Sequence, residues 1–214
     1  MRPWIAVAAN RFVIGQILVQ PRREGGFSLR HRDDERRDDL QVCCHPEDGR
    51  ELARSDDDGN YRPLKTAPNL RHGWCLELKT LADLERALDY FYPARLAVYD
   101  AWKEQRLQTT ALRDTLNRQS GMYRVAATIS DTQLENLIAN FCRSDGGCLR
   151  TILWKRNHAG DVPSAKLPAT KFDPGCDQAA SKQIADHGDV HLPLLCQEAC
   201  NLLVAECRKA VKEP

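Results

Sequence analysis

Four cysteines in the last third of the chain arrive as two close pairs, and any fold of this sequence has to account for them. Cys142 and Cys148 bracket Arg143-Ser144-Asp145-Gly146-Gly147, Cys196 and Cys200 have three residues between them, and 47 residues separate the pairs. If the pairs converge, four thiolates can hold an iron-sulfur cluster or a zinc ion. The chain of 214 residues has nine cysteines, an odd number. No stretch approaches the ~20 continuous apolar residues of a membrane helix. The apolar opening Trp4-Ile5-Ala6-Val7-Ala8-Ala9 meets Asn10 and Arg11 before a secretion signal can develop, and it reads as a strand. The expectation is therefore a cytoplasmic protein with reduced thiols, in which clustered cysteines bind metal rather than form a disulfide framework.

The spacing bears on which metal. A four-iron cluster needs one thiolate per iron across a body several ångströms wide, on the order of the cluster itself, whereas zinc draws four sulfurs to one point. Gaps of five and three residues, the first with Gly146-Gly147 to let backbone approach closely, suit a cluster better than zinc. Cys196 and Cys200 are expected at the start of a helix running from about Leu195 to Val211. There, free N–H groups and the helix dipole would favour an anionic cluster. Zinc and buried, metal-free thiols remain the alternatives, since cysteine is often buried for packing alone. Cys207, seven residues beyond Cys200, could replace one of the four. Cys75 and Cys176 have no paired neighbour, and Cys43-Cys44-His45 reads as idle or buried thiols because vicinal cysteines seldom face one ion.

The rest of the chain reads as α+β: an N-terminal hairpin or small sheet, then a mainly helical, cysteine-rich C-terminal domain. Phe12 to Val19 and Phe27 to Arg30 are extended runs about a Gly25-Gly26 turn. The mixed charges from Arg30 to Asp39 read as solvated surface, and Asp56-Asp57-Asp58-Gly59-Asn60 as a plain turn lacking the ligand spacing of a calcium loop. Thr80 is expected to cap a helix carrying Leu81, Leu84, Leu88 and Phe91. Pro93 ends it and opens the next, with Leu96, Tyr99 and Trp102 inward. A third helix spans Thr110 to Gln119, and Met122 to Ala126 is a strand or connector. Ser130 with Gln133 forms a capping box for a helix that ends at Cys142. Leu149 to Trp154 suggests a short helix, and Lys155 to Asp189, without periodicity, a long surface excursion. The domain boundary is placed between 121 and 122.

Two stretches, Cys-Arg-Ser-Asp-Gly-Gly-Cys-Leu-Arg-Thr-Ile-Leu-Trp at 142 to 154 and Pro-Leu-Leu-Cys-Gln-Glu-Ala-Cys-Asn-Leu-Leu at 193 to 203, resemble the C-terminal 4Fe-4S domain of some bacterial sirohydrochlorin cobaltochelatases. Tyr61-Arg62-Pro63-Leu64-Lys65, Arg71-His72-Gly73-Trp74 and Arg118-Gln119-Ser120-Gly121-Met122-Tyr123 look like the stabilising segment that precedes it. The resemblance implies that Cys142, Cys148, Cys196 and Cys200 are the ligands of a 4Fe-4S cluster. It does not carry chelatase activity across. That family places histidines in Gly-His-Gly type loops, and none of the six histidines here sits in one: His31 and His45 lie in polar loop sequence, His72 follows Arg71, and His158, His187 and His191 fall in or beside the excursion.

The implied role is electron transfer or redox sensing, accessory to tetrapyrrole metal insertion through a separate chelatase or redox partner. A cluster- or zinc-stapled interaction module is the alternative from another class. A cluster-dependent DNA-binding regulator is weakened by 31 Lys and Arg against 30 Asp and Glu, which leaves no basic field, and by the lack of a recognition-helix pattern. No phosphate loop, nucleophile elbow or paired-histidine motif points to catalysis.

Overall fold

The computed structural model describes residues 1–107, 110–142, 148–154, 190–197 and 199–212. The chain divides into two compact units: Met1–Leu107 with the described part of Ile184–Leu194, and the described parts of Gln108–Gln183 and Leu195–Pro214. The expected excursion from Lys155 to Asp189, with Cys176, His158 and His187, lies outside the described residues.

The first unit opens on a helix, α1 (Pro3–Ala8), where a strand was expected. Proline's fixed φ suits a first helical turn, and Trp4 and Ala8, one turn apart, both bury. A run of six apolar residues has no period of its own to separate helix from strand. The strands β1 (Phe12–Ile14), β2 (Ile17–Pro21), β3 (Phe27–His31), β4 (Gln41–Cys43) and β5 (Trp74–Leu78) follow. With Val190–Leu192 they form a six-stranded sheet in the order β4-β5-β3-β2-β1 and then Val190–Leu192. The two ends of the sheet pair parallel and the middle antiparallel.

The expected single run from Phe12 to Val19 is split into a hairpin by a two-residue turn at Gly15 and Gln16, with Ile14 opposite Ile17. Gly15 has φ of 57°, and a Cβ there would lie 2.5 Å from the Tyr92 hydroxyl. That hydroxyl accepts the Gln16 N–H at 2.9 Å, and burial pushes its pKa up to about 12.

Helix α3 (Leu81–Phe91) begins where expected, with Thr80 and Asp83 closing a reciprocal capping box, and its Leu84, Leu88 and Phe91 bury. Phe91 stacks on Trp74 at 5.1 Å, joining helix to sheet. Helix α4 (Arg95–Lys103) buries Leu96 and Tyr99 and also Asp100, which accepts the Trp4 N–H at 2.9 Å. A short α2 (Asp48–Leu52) precedes the loop pinned by Arg62. The Arg62 side chain is 2% exposed and donates to Asn69 Oδ1 and to the carbonyls of Ala53, Lys65 and Ala67, so its buried charge is met by oxygen on every side described. The run Asp56 to Asn60 is a plain turn, closed by Asp56 N–H on Asn60 O and Gly59 N–H on Asp56 O.

The mixed-charge run is exposed at Asp33 and from Arg36 to Asp39, in line with its reading as solvated surface, but departs from it at two positions. His31 is fully buried and Asp34 is 2% exposed. His31 pairs with Ile17 across β2 and β3 and lies against the Gln16 side chain and the His72 ring, and Asp34 receives the Gly73 N–H at 2.6 Å and an Arg37 N–H at 3.0 Å.

The second unit is built of three short helices, α5 (Leu112–Asn117), α6 (Tyr123–Thr128) and α7 (Asp131–Leu137), and the longer C-terminal helix Asn201–Lys212. Helix α6 stands where a strand or connector was expected, with Met122 and Ala126 buried one turn apart. Ser130 and Gln133 close the capping box of α7, and Leu134 and Ile138 carry its stripe into the core. Arg113 donates to the carbonyls of Ala126 and Ile129 and to Asp131, tying the end of α6 to the start of α7. The division at Leu107/Gln108 falls ahead of the expected 121/122, because Leu112 and Leu116 of α5 bury with Leu134, Leu203 and Trp154.

Two further expectations fail here. Thr151–Ile152 is a strand rather than a helix, pairing parallel with Leu195–Cys196, and the last helix begins at Asn201 rather than near Leu195. Each segment has too few residues for its apolar positions to establish a period.

Candidate metal centre

The four cysteines of the two pairs lie in the second unit. Helix α7 runs into a π-helical turn, Ile138–Cys142, which ends on Cys142. Such widened turns are frequent at functional sites. The Cys148 N–H donates to the Cys142 carbonyl at 3.3 Å, so the backbone closes on itself between the members of the first pair. Residues 143–147, with Gly146 and Gly147, lie outside the described residues.

Beyond Cys148 the strand Thr151–Ile152 brings in the second pair, placing Ile152 beside Cys196. The Leu153 N–H donates to the Cys196 carbonyl at 2.8 Å and fixes that register. Cys196 thus sits on a strand, not on the expected helix face. Cys200 does stand at a helix start: its carbonyl accepts the Val204 N–H at 3.0 Å, and its Sγ accepts the Leu203 N–H at 3.5 Å. The sulfur takes the place of an N-cap oxygen and faces the positive end of the helix.

Arg150 draws the pairs together. Its Nη1 is 4.0 Å from Cys196 Sγ. Burial works to lower the pKa of its guanidinium, but the sulfurs of Cys196, Cys148 and Cys200 outweigh burial and the net shift is upward. One cation therefore lies near three of the four sulfurs, and the backbone of Cys142 is tied to that of Cys148 by the hydrogen bond above. Cys142 and Cys200 also pack against the same apolar core that contains Cys196. Cys142, Cys148 and Cys200 are partly exposed and Cys196 is 8% exposed, so the thiols sit at the edge of the core rather than deep within it.

Cys207 differs. It is fully buried, and burial, with Cys200 beside it, pushes its thiol up to about 11, which disfavours the thiolate a metal needs. Cys43 and Cys75 lie on neighbouring strands of the first unit, each with its thiol pKa raised chiefly by burial. Arg150 was visible in the sequence only as one of several nearby cations. Its singular place follows from the parallel pairing that sets Ile152 against Cys196 and so brings Arg150, two residues earlier, within side-chain reach of that sulfur.

The chain matches two family models, the DR2241 stabilising domain over residues 4–106 and a 4Fe-4S iron-sulfur cluster binding domain over residues 104–209. Among solved structures it is similar to DR2241 from Deinococcus radiodurans, with a TM-score of 0.72 and 32% identity, over 99% of this chain and 41% of that one. That protein is described as a multi-domain protein with structural similarity to chelatases and two additional novel domains. This chain thus spans less than half of its length. No curated protein matches. The seam between the two family models falls beside the seam between the two compact units.

Proposed function

We propose that this chain, which belongs with proteins that join a DR2241 stabilising domain to a 4Fe-4S cluster binding domain, holds its 4Fe-4S cluster through Cys142, Cys148, Cys196 and Cys200 and uses it for electron transfer or redox sensing. The observation that carries the ligand assignment is the parallel pairing of Thr151–Ile152 with Leu195–Cys196, which brings Cys196 beside the segment that follows Cys148, with Arg150 Nη1 4.0 Å from Cys196 Sγ. A four-thiolate cluster is a net anion, and a buried-edge cation beside it offsets that charge. The match of residues 104–209 to a 4Fe-4S iron-sulfur cluster binding domain supports iron-sulfur over zinc ligation.

When bound, the cluster supplies one-electron chemistry; the residues of this chain set how readily it is reduced. The Leu203 N–H on Cys200 Sγ and the Arg150 charge near Cys196 Sγ both stabilise added negative charge, and both therefore raise the potential. Partial exposure of Cys142, Cys148 and Cys200 leaves a route for electrons from a protein partner. A cytoplasmic setting and a place beside tetrapyrrole metal insertion, with the chelatase on a separate chain or domain, complete the proposal. The chelatase-like character of the Deinococcus protein and the resemblance of the cysteine segments support it.

A structural staple is the second reading, favoured by helices of only six or seven residues in α5, α6 and α7. Helices this short do not persist without tertiary support, and a bound metal centre supplies it. Anaerobically prepared protein is expected to be brown, with about four irons and four sulfides per chain, and to bleach reversibly with dithionite. Cys200→Ser is expected to lose the colour and most of the iron. A cluster that assembles but cannot be reduced within the physiological range leaves only the staple. Colourless protein with stoichiometric zinc defeats both the cluster and the redox role.

A further inference from the structure

The first unit contains a side-chain group that the cluster does not use. His31 closes β3, and Asp33 follows in the 3-10 turn Arg32–Asp34. His72 lies two residues ahead of β5. Because Arg30 pairs with Cys75 across β3 and β5, the sheet register sets the two histidines side by side, with ring centroids 3.8 Å apart. His31, Asp33 and His72 each offer one ligand atom, all three within 4.8 Å of one another. Among the described residues they are the group of three metal-ligating side chains gathered that closely.

We propose that His31, His72 and Asp33 form a second metal site, one that binds a divalent transition cation of the zinc class in the stabilising domain. Two imidazoles and a carboxylate are the donor set of borderline metals rather than of calcium or magnesium. Tetrahedral ligands about 2.0–2.2 Å from zinc stand about 3.3 Å apart, so a modest closing of this group suffices. The side chains able to close are the open ones: Asp33 is 62% exposed and His72 is 36% exposed, while His31 is held with no exposure. The same exposure leaves room for water as the fourth ligand.

Supporting partners are in place around the rings. His72 has a carboxylate against each nitrogen, Asp34 Oδ1 at 3.5 Å from Nδ1 and Asp57 Oδ2 at 3.9 Å from Nε2. A metal-bound imidazole characteristically holds its second nitrogen against such a group. Asp34 is itself fixed by the Gly73 N–H at 2.6 Å and by Arg37 at 3.0 Å. At His31, Nε2 lies 3.1 Å from the Gln16 amide nitrogen, and Gln16 is anchored by the Leu70 N–H on its Oε1, so Gln16 holds the ring in place without accepting an imidazole N–H. His31 Nδ1 lies 3.7 Å from Asp33 Oδ2 and accepts the Asp33 N–H at 3.2 Å. Ion binding would replace that weak backbone contact. Arg32, 3.5 Å from Asp33 Oδ1, is a half-exposed competitor for the same carboxylate and a weak one.

This site is independent of the cysteines, and its test keeps the two apart. The full chain, carrying its cluster, is dialysed anaerobically against zinc chloride, and zinc and iron are counted together by elemental analysis. One zinc per chain with the iron content and visible spectrum unchanged is the expected result. His72→Gln and Asp33→Asn, both on exposed side chains, are expected to weaken zinc uptake at least about tenfold, with iron and spectrum intact. Zinc uptake that survives both substitutions, or that appears only as iron is lost, overturns the proposal. So does wild-type protein that takes up no zinc.

Discussion

The two units of this chain are stabilised in different ways. The first has a six-stranded sheet, an eleven-residue helix with a complete capping box, and a buried arginine that makes four hydrogen bonds to oxygen. The second has one twelve-residue helix at its C-terminal end, but its other helices run only six or seven residues, its strand pair is two residues long and the edge of its core is made partly of cysteine. Long-range strand pairing with a continuous apolar face supports a fold without help. Short helices around a few paired residues gain order from whatever binds the cysteines. The contrast predicts that the first unit persists without a cofactor and that the second does not.

Removing the cluster tests that contrast most severely and should give the largest effect. After oxidation and chelation, hydrogen exchange should lose its protection over 112–142 and 195–212 while staying slow in β1, β2, β3 and β5. Loss in both regions, or in neither, would break the comparison.

A smaller, opposite test perturbs the scaffold alone. Gly26 has φ of 81°, and a Cβ there would lie 2.1 Å from the Leu78 carbonyl oxygen, whereas Gly25, with φ of 89°, has open space around it. Gly25→Ala should cost about 1–2 kcal/mol for its left-handed backbone alone. Gly26→Ala should cost clearly more in denaturant melts, with the cluster's visible absorption retained. Equal costs at the two positions would show that β3 and β5 yield easily at that end.

The smallest effect sharpens the picture of the scaffold's polar interior. Burial raises the pKa of Asp100, with Glu104 and Glu85 adding to the rise and the Trp4 N–H and Arg2 opposing it. A carboxyl with a raised folded pKa contributes stability fully below its unfolded value of about 3.9 and loses that contribution as pH climbs through the folded value. Asp100→Asn keeps the acceptor for the Trp4 N–H and carries no charge. Its melting temperature should therefore equal or exceed that of the wild type at pH 7, with the advantage shrinking toward pH 4. A loss at pH 7 would mean that the Arg2 attraction outweighs burial.

Much of this was legible before any coordinates, and the legible parts share a cause. Thr80 with Asp83 and Ser130 with Gln133 are local signals, complete within four residues, and the apolar steps through Leu84, Leu88 and Phe91 span enough turns to declare a period. The segments that turned out otherwise are short. Pro3–Ala8, Thr151–Ile152 and Leu195–Cys196 have too few residues for a pattern, and what they pair with decides their shape. The charged run around His31 misled for a different reason: a buried imidazole and a buried carboxylate look like surface residues until the partners that satisfy them are known.

Sequence by itself determined the chemistry available here: thiols at a spacing that suits a cluster, cations close to them, and strong helix caps on either side of the seam. Only tertiary structure decided that Arg150 reaches Cys196, that Cys207 is sealed in the core, and that His31 meets His72. The first and last depend on strand register between distant segments and the second on which helix face packs inward, and both are set by long-range contacts that no local stretch of sequence encodes.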